Sequence, residues 1–77
     1  MKDKSGDFII TNGVIKEVLR GDNFHVTVKN GDTENIILAR LSGKMRRNHV
    51  WIIVGDVVQL EIPILDPTRG RITWRHR

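Results

Sequence analysis

The sequence predicts an all-β barrel of five short strands. Three observations carry that expectation: apolar residues alternating with polar ones at a period of two, glycine and asparagine turn signals at short intervals, and a length of 77 residues that suits one modest core. A hydrophobic content of 39% with 29% charged residues suits a folded domain rather than a disordered chain. Cysteine is absent and His25, His49 and His76 are scattered, so packing alone has to hold the fold; neither a disulfide nor a metal centre nor a cofactor is expected.

The elements follow in order. After Gly13, the residues Val14, Ile15, Val18 and Leu19 form a first apolar segment, closed by the turn signal Arg20-Gly21-Asp22-Asn23. Phe24, Val26 and Val28 then alternate with His25, Thr27 and Lys29, the pattern of a half-buried second strand. Asn30-Gly31 marks a hairpin because both residues tolerate positive φ, and Asp32 to Asn35 is expected to lengthen its loop before a third strand over Ile36-Ile37-Leu38-Ala39. Ser42-Gly43-Lys44-Met45-Arg46-Arg47-Asn48 breaks the alternation, is too short for an independent helix and begins with a capping residue, so a single helical turn or ordered loop is expected between strands three and four. Trp51-Ile52-Ile53-Val54 and Gly55-Asp56 lead into a fourth strand over Val57, Val58, Leu60 and Ile62, which Pro63 ends. Leu65 to Gly70 is turn chemistry, and Arg71-Ile72-Thr73-Trp74-Arg75 alternates as a fifth strand with Ile72 and Trp74 expected in the core. Residues 1–7 read as a polar, mobile leader and residues 8–77 as one domain. Five strands with one brief interruption point to the five-stranded oligonucleotide-binding barrel, or OB fold.

Charge suggests what such a barrel binds. The net charge is +4, and it is uneven: residues 35–55 hold Arg40, Lys44, Arg46 and Arg47 with no carboxylate, and residues 67–77 hold Arg69, Arg71, Arg75 and Arg77 with none. Positive charge without acidic neighbours along the chain calls for a polyanion, with counterion release supplying much of the affinity. In the first block Gly43 permits close backbone approach, Ser42 offers a hydroxyl and an N–H to a phosphate, and Arg46 and Arg47 carry planar forks suited to one. In the second, Arg71 and Arg75 are expected to face outward, opposite Ile72 and Trp74. Phe8, Phe24, Trp51 and Trp74 are too few and too apolar in context for an aromatic ladder, and Trp51 beside Ile52 and Ile53 reads first as a partly buried anchor. Recognition of a folded RNA by shape and phosphate fits better than sequence reading of a single strand. No catalytic grouping or Gly-rich phosphate loop is present, and Asp22, Asp32, Glu34 and Asp66 sit at turns, so an enzyme is not expected. No run reaches the ~18 apolar residues of a membrane span, nor does the start of the chain resemble a secretory signal.

At these residues the sequence resembles the bacterial-type translation initiation factor one family. The match comprises Ser42-Gly43-Lys44-Met45-Arg46-Arg47-Asn48, then Gly55-Asp56, Asp66, Thr68-Arg69-Gly70-Arg71-Ile72 and the closing Arg75-His76-Arg77, with Gly13, Phe24 and Asn30-Gly31 at the family's spacing. It spans about residues 13–77. The resemblance implies an S1-like OB barrel that binds the decoding, or A-site, region of the small ribosomal subunit, contacts rRNA and ribosomal protein S12, blocks premature tRNA entry and cooperates with initiation factors two and three. By position it assigns Ser42, Gly43, Lys44, Met45, Arg46 and Arg47 to a loop that enters an rRNA minor groove, with Arg69, Arg71 and Arg75 as further contacts; the charge map adds Arg40. It also implies a monomer in the cytoplasm, or in the stroma or matrix of an organelle of bacterial descent. The chain departs from the family at His49, where an aromatic residue is usual, at Trp51, where a basic one is usual, and in a segment from Gly31 to Ser42 about three residues longer, an expected hairpin extension. The rival readings are a cold-shock-like RNA chaperone and a protein-interaction barrel using the Trp51 to Val54 patch.

Overall fold

The computed structural model describes residues 7–76. Its elements are β1 (Phe8–Val18), β2 (Asn23–Asn30), β3 (Thr33–Leu41), α1 (Gly43–Arg47), β4 (Val57–Pro63) and β5 (Arg69–Arg75), and the strands close into a barrel in the order β1-β2-β3-β5-β4. All neighbouring pairs are antiparallel except β3 and β5, whose parallel pairing is possible because α1 and β4 lie between them in sequence. Inward-facing Ile15, Val26, Ala39, Val58, Leu60 and Ile72 fill the centre, and Met45 and Ile52 join them from α1 and the following loop. No described helix is long and apolar enough to cross a membrane.

Closure depends on β1 serving both edges. Its first part pairs with β4, from Phe8 opposite Pro63 to Val14 opposite Val57, and its last part pairs with β2, from Val14 opposite Thr27 to Val18 opposite Phe24. An extra residue at Lys16, between Ile15 and Glu17, bends the strand as it passes from one partner to the other. β1 therefore starts at Phe8 rather than after Gly13, because residues 8–12 gain their order from the distant β4 and carry little alternation of their own. Of the expected leader, residues 1–6 lie outside the described residues, and the Asp7 carbonyl accepts from the Ile64 N–H at 3.2 Å.

Two further expectations change. The hairpin between β2 and β3 is tight, with Asn30 opposite Thr33 and only Gly31 and Asp32 between them. Gly31 alone has positive φ, 68°, so the turn centres one residue later than Asn30-Gly31, and Thr33 to Asn35 are strand rather than loop. In β5 the residue Thr73 is extra: Leu60 opposes Ile72 and Gln59 opposes Trp74. This bulge reverses the alternation beyond it, so Trp74 is 58% exposed rather than part of the core, while Arg75 turns toward the barrel opposite Val58.

Gly13 lies where β1 crosses between partners. A Cβ there would stand 2.5 Å from Val26 Cγ1 and 3.0 Å from the Thr27 carbonyl oxygen, so the glycine is required by close approach. Gly13→Ala is expected to destabilise the barrel by about 1–3 kcal/mol. Urea unfolding followed by circular dichroism checks this, and an unmoved midpoint would contradict it.

Candidate nucleic-acid interface

The connection between β3 and β4 carries the first basic block, and its local structure is set by capping. Ser42 is extended at the N-cap, its Oγ accepts from the Met45 N–H at 3.2 Å, and its own N–H donates to the Ile72 carbonyl at 2.9 Å. The N–H expected to meet a phosphate is therefore occupied, and Ser42 retains only the hydroxyl hydrogen to donate. Met45, expected among the RNA-contacting residues, is 5% exposed and packs in the core; it fastens α1 to the barrel. With Met45 inward, Lys44, Arg46 and Arg47 are all turned to solvent. Gly43 is exposed, and a Cβ there would meet nothing nearer than Arg47 Nη1 at 3.9 Å.

Folding alters the charge map. Asp22, in the β1–β2 turn, brings Oδ2 to 3.3 Å from Arg46 Nε. Glu61 Oε1 accepts from Arg71 Nη2 at 2.7 Å, Asp66 Oδ2 lies 3.9 Å from Arg69 Nε, and Asp56 Oδ2 lies 3.9 Å from Arg75 Nη1. Four arginines that stand without acids along the chain thus have carboxylates in space. Among the described residues Arg40, Lys44 and Arg47 have none, nor do Lys16 and Arg20. Arg40 and Arg71 are cross-strand partners on β3 and β5, both exposed. The pairs of Arg46, Arg69 and Arg71 involve exposed guanidinium groups and are of the kind worth about 0–1 kcal/mol, which a phosphate can displace. Arg71 also lies over the Phe8 ring, with its Cζ 5.8 Å from the centroid.

Arg75 is different, for only 18% of its side chain is exposed. Its Nη1 donates to the Trp51 carbonyl, and Asp56, besides facing Arg75, accepts from the Ile53 N–H at 3.0 Å. Ile15 exchanges backbone bonds of 2.9 Å with Gly55 and Asp56. Together these pin residues 51–56 to β5 and β1, so Asp56 orients the approach to β4.

Sequence reasoning missed the exposed aromatics. Trp51 is 77% exposed rather than a partly buried anchor, and its neighbour Ile52 fills the barrel instead. It stands between a groove of 370 Å³ lined by Asp22, Arg46, His49 and Val50 and one of 250 Å³ lined by Ile53, Asp56, Arg75 and His76. The open character of residues 48–55 could have signalled this, since a residue outside any strand has no alternation to bury it. Phe24 is buried in the core, so the two exposed indoles do not form a ladder along β2 and β3. A separate groove of 610 Å³, lined by Ile9, Val28, Ile36, Ile62 and Pro67 among others, lies at the other end of β3, where Lys29 is paired with Glu34 at 3.8 Å.

A closed five-stranded barrel with a short capped helix between β3 and β4 and solvent-facing cations on that connection defines the class: an OB-fold binding protein. A family model described as "Translation initiation factor 1A / IF-1" matches residues 4–77, and the chain belongs to that family of translation initiation factors. It is 52% identical over 65 residues to translation initiation factor IF-1 of Ureaplasma parvum serovar 3, covering 84% of each chain. It is 42% identical over 66 residues to "Translation initiation factor IF-1 2" of Paraburkholderia xenovorans, covering 86% of this chain and 70% of the relative. Its fold is similar to the solution structure of the corresponding translation initiation factor from the Wolbachia endosymbiont of Brugia malayi, with a TM-score of 0.75 and 33% identity over 99% of this chain and 86% of that one.

Removing Met45 and altering Gly43 should separate anchor from surface. Met45→Ala is expected to cost about 2–5 kcal/mol because it empties a core position, whereas Gly43→Ala should leave the unfolding midpoint where it is or raise it slightly. Thermal and urea unfolding of both variants check the contrast.

Proposed function

We propose that this initiation factor binds the decoding region of the small ribosomal subunit through rRNA phosphates and backbone, occupying the A site so that tRNA cannot enter early. The carrying observation is the solvent-facing block Lys44, Arg46 and Arg47 on a helix that Met45 fixes to a rigid barrel, in a chain of the IF-1 family. Preorganised cations lose little conformational freedom when phosphates arrive, and released counterions supply the driving force. Lys44, Arg47 and Arg40 act as unpaired cations; Arg46, Arg69 and Arg71 exchange an exposed carboxylate for a phosphate. Ser42 and Gly43 let RNA approach the backbone at the start of α1, while Met45 and Arg75 hold the surface in shape. Ribosomal protein S12 is the expected protein neighbour and initiation factors two and three the expected co-factors of assembly, the factor acting as a monomer in the cytoplasm or an equivalent organellar compartment. The mechanism is exclusion with population shift: the subunit moves toward the rRNA arrangement this surface fits.

Replacing Arg46 and Arg47 together by alanine is expected to weaken binding to small subunits by on the order of tenfold or more and to lower the salt slope by about one for each phosphate no longer neutralised, with unfolding unchanged. Sedimentation with subunits across a salt series measures both; unchanged affinity would refute the proposal. Asp22→Asn keeps a residue type that accepts the positive φ of 62° and frees Arg46, so binding should tighten in the same assay. Gly43→Ala should weaken subunit binding without loss of stability. Footprinting of small-subunit rRNA should find protection confined to the decoding region.

A further inference from the structure

The wall of the 610 Å³ groove carries backbone groups that the barrel does not use. β3 pairs with β2 from Thr33 onward, but with β5 only from Leu38 to Leu41. Leu38 turns its N–H to the β5 edge, donating to the Thr68 carbonyl at 3.1 Å, and backbone groups recur on one edge at every second residue, so Glu34 and Ile36 turn theirs the same way. Among the described residues nothing pairs with them there, because the chain leaves the line of β5 at Asp66. The Asp66 N–H donates to the Pro63 carbonyl, the Arg69 N–H to the Asp66 carbonyl, and Thr68 Oγ1 to Asp66 Oδ1. Beside this free edge the groove is floored by Ile37 and Ile62 and flanked by Ile9 and Ile36, each 53% exposed, with Val28 and Pro67. An exposed apolar edge of this kind is one that folded chains ordinarily cover.

Charge decides between the kinds of partner. Among the described residues Lys29 is the one cation lining the groove, and Glu34 stands 3.8 Å from it, whereas Asp32 in the hairpin has no cation beside it. A nucleic acid would bring phosphates to a rim with no cation to spare. An extended peptide brings complementary N–H and C=O groups, apolar side chains at every second position and, where it is basic, a partner for Asp32.

We infer that the free edge of β3 at Glu34 and Ile36 takes an added strand: an extended segment of a protein partner, apolar at alternate positions and basic where it passes Asp32. The N–H and C=O groups of Glu34 and Ile36 bond its backbone, and its apolar side chains enter the groove between Ile9, Ile36 and Pro67. This goes beyond RNA binding and does not depend on it. The other end of β3 leads into Ser42 and the basic connection, so the peptide site and the proposed RNA surface lie at opposite ends of one strand and can be occupied together.

The test titrates the isotope-labelled full chain, up to about 1 mM ligand, with soluble peptides of about seven residues. In these, threonine alternates with valine, isoleucine or phenylalanine, and a lysine stands at each end. Amide resonances and hydrogen exchange are followed by NMR. At saturation the Glu34 and Ile36 amides should exchange about tenfold more slowly, while that of Leu38, already bonded to Thr68, should not change. Peptides with methylated backbone nitrogens keep the side chains and lose the donors, so they should bind about tenfold more weakly or not at all, and glutamate in place of the end lysines should also weaken binding. Ile36→Pro removes one docking donor without breaking a bond of the barrel and should likewise bind about tenfold more weakly; should it fail to fold, the methylated peptides make the comparison on the parent chain. No shift of these amides with any of the peptides, equal binding of the methylated forms, equal or tighter binding of the glutamate-ended ones, or a folded Ile36→Pro protein of unchanged affinity would overturn the inference. Protection that grows with protein concentration alone, alongside a dimer in sedimentation equilibrium, would overturn it in favour of a second copy of this chain. The same amide shifts on adding oligouridine would overturn it in favour of a nucleic acid.

Discussion

Barrel closure through β1 is the constraint on which the remaining structure depends. One strand hydrogen-bonds β4 along its first part and β2 along its last, and it can do so only because Gly13 lets the backbones approach and the extra residue at Lys16 bends the strand. Closure removes most free sheet edges and brings residues distant in sequence into one core. It also determines where the β3–β4 connection lies, since the Ser42 N–H is bonded to Ile72 of β5. The candidate interface is thus carried by contacts that no local segment could make.

Electrostatics and packing share residues at this surface. Met45 and Arg75 sit among residues that look like a binding set, but one fills the core and the other holds the 51–56 loop. Their contribution is positional: they keep Lys44, Arg46, Arg47 and Trp51 at fixed places so that little freedom is lost when a partner binds. The carboxylates beside Arg46, Arg69 and Arg71 have a similar dual character. Exposed pairs are weak and screened by salt, so they steady the free side chains yet give way to a multiply charged anion.

That balance changes how the sequence's charge should be understood. Two blocks of the chain lack acids, but four of their arginines meet Asp22, Asp56, Glu61 or Asp66 after folding. Among the described residues the surplus of these blocks that survives in space, on Arg40, Lys44 and Arg47, is smaller than the linear count suggests. What supports the proposed RNA binding is therefore less the amount of unpaired charge than its rigid placement, together with membership of a family of initiation factors.

Strand number, the capped turn at Ser42, the antiparallel β2–β3 pairing and the basic connection were legible in the sequence, because period-two alternation, capping chemistry and turn residues act over a few neighbouring positions. The early start of β1, the tight Gly31-Asp32 turn, the outward rotation of Trp74 and the inward one of Arg75 were not, because each is set by register against a strand far away in the chain, and a single bulge reverses every face beyond it. Which arginines keep their charge to themselves, and that the Trp51 ring stands in solvent, were likewise decided by tertiary structure: partner identity depends on distance in space, and alternation alone carries no record of it.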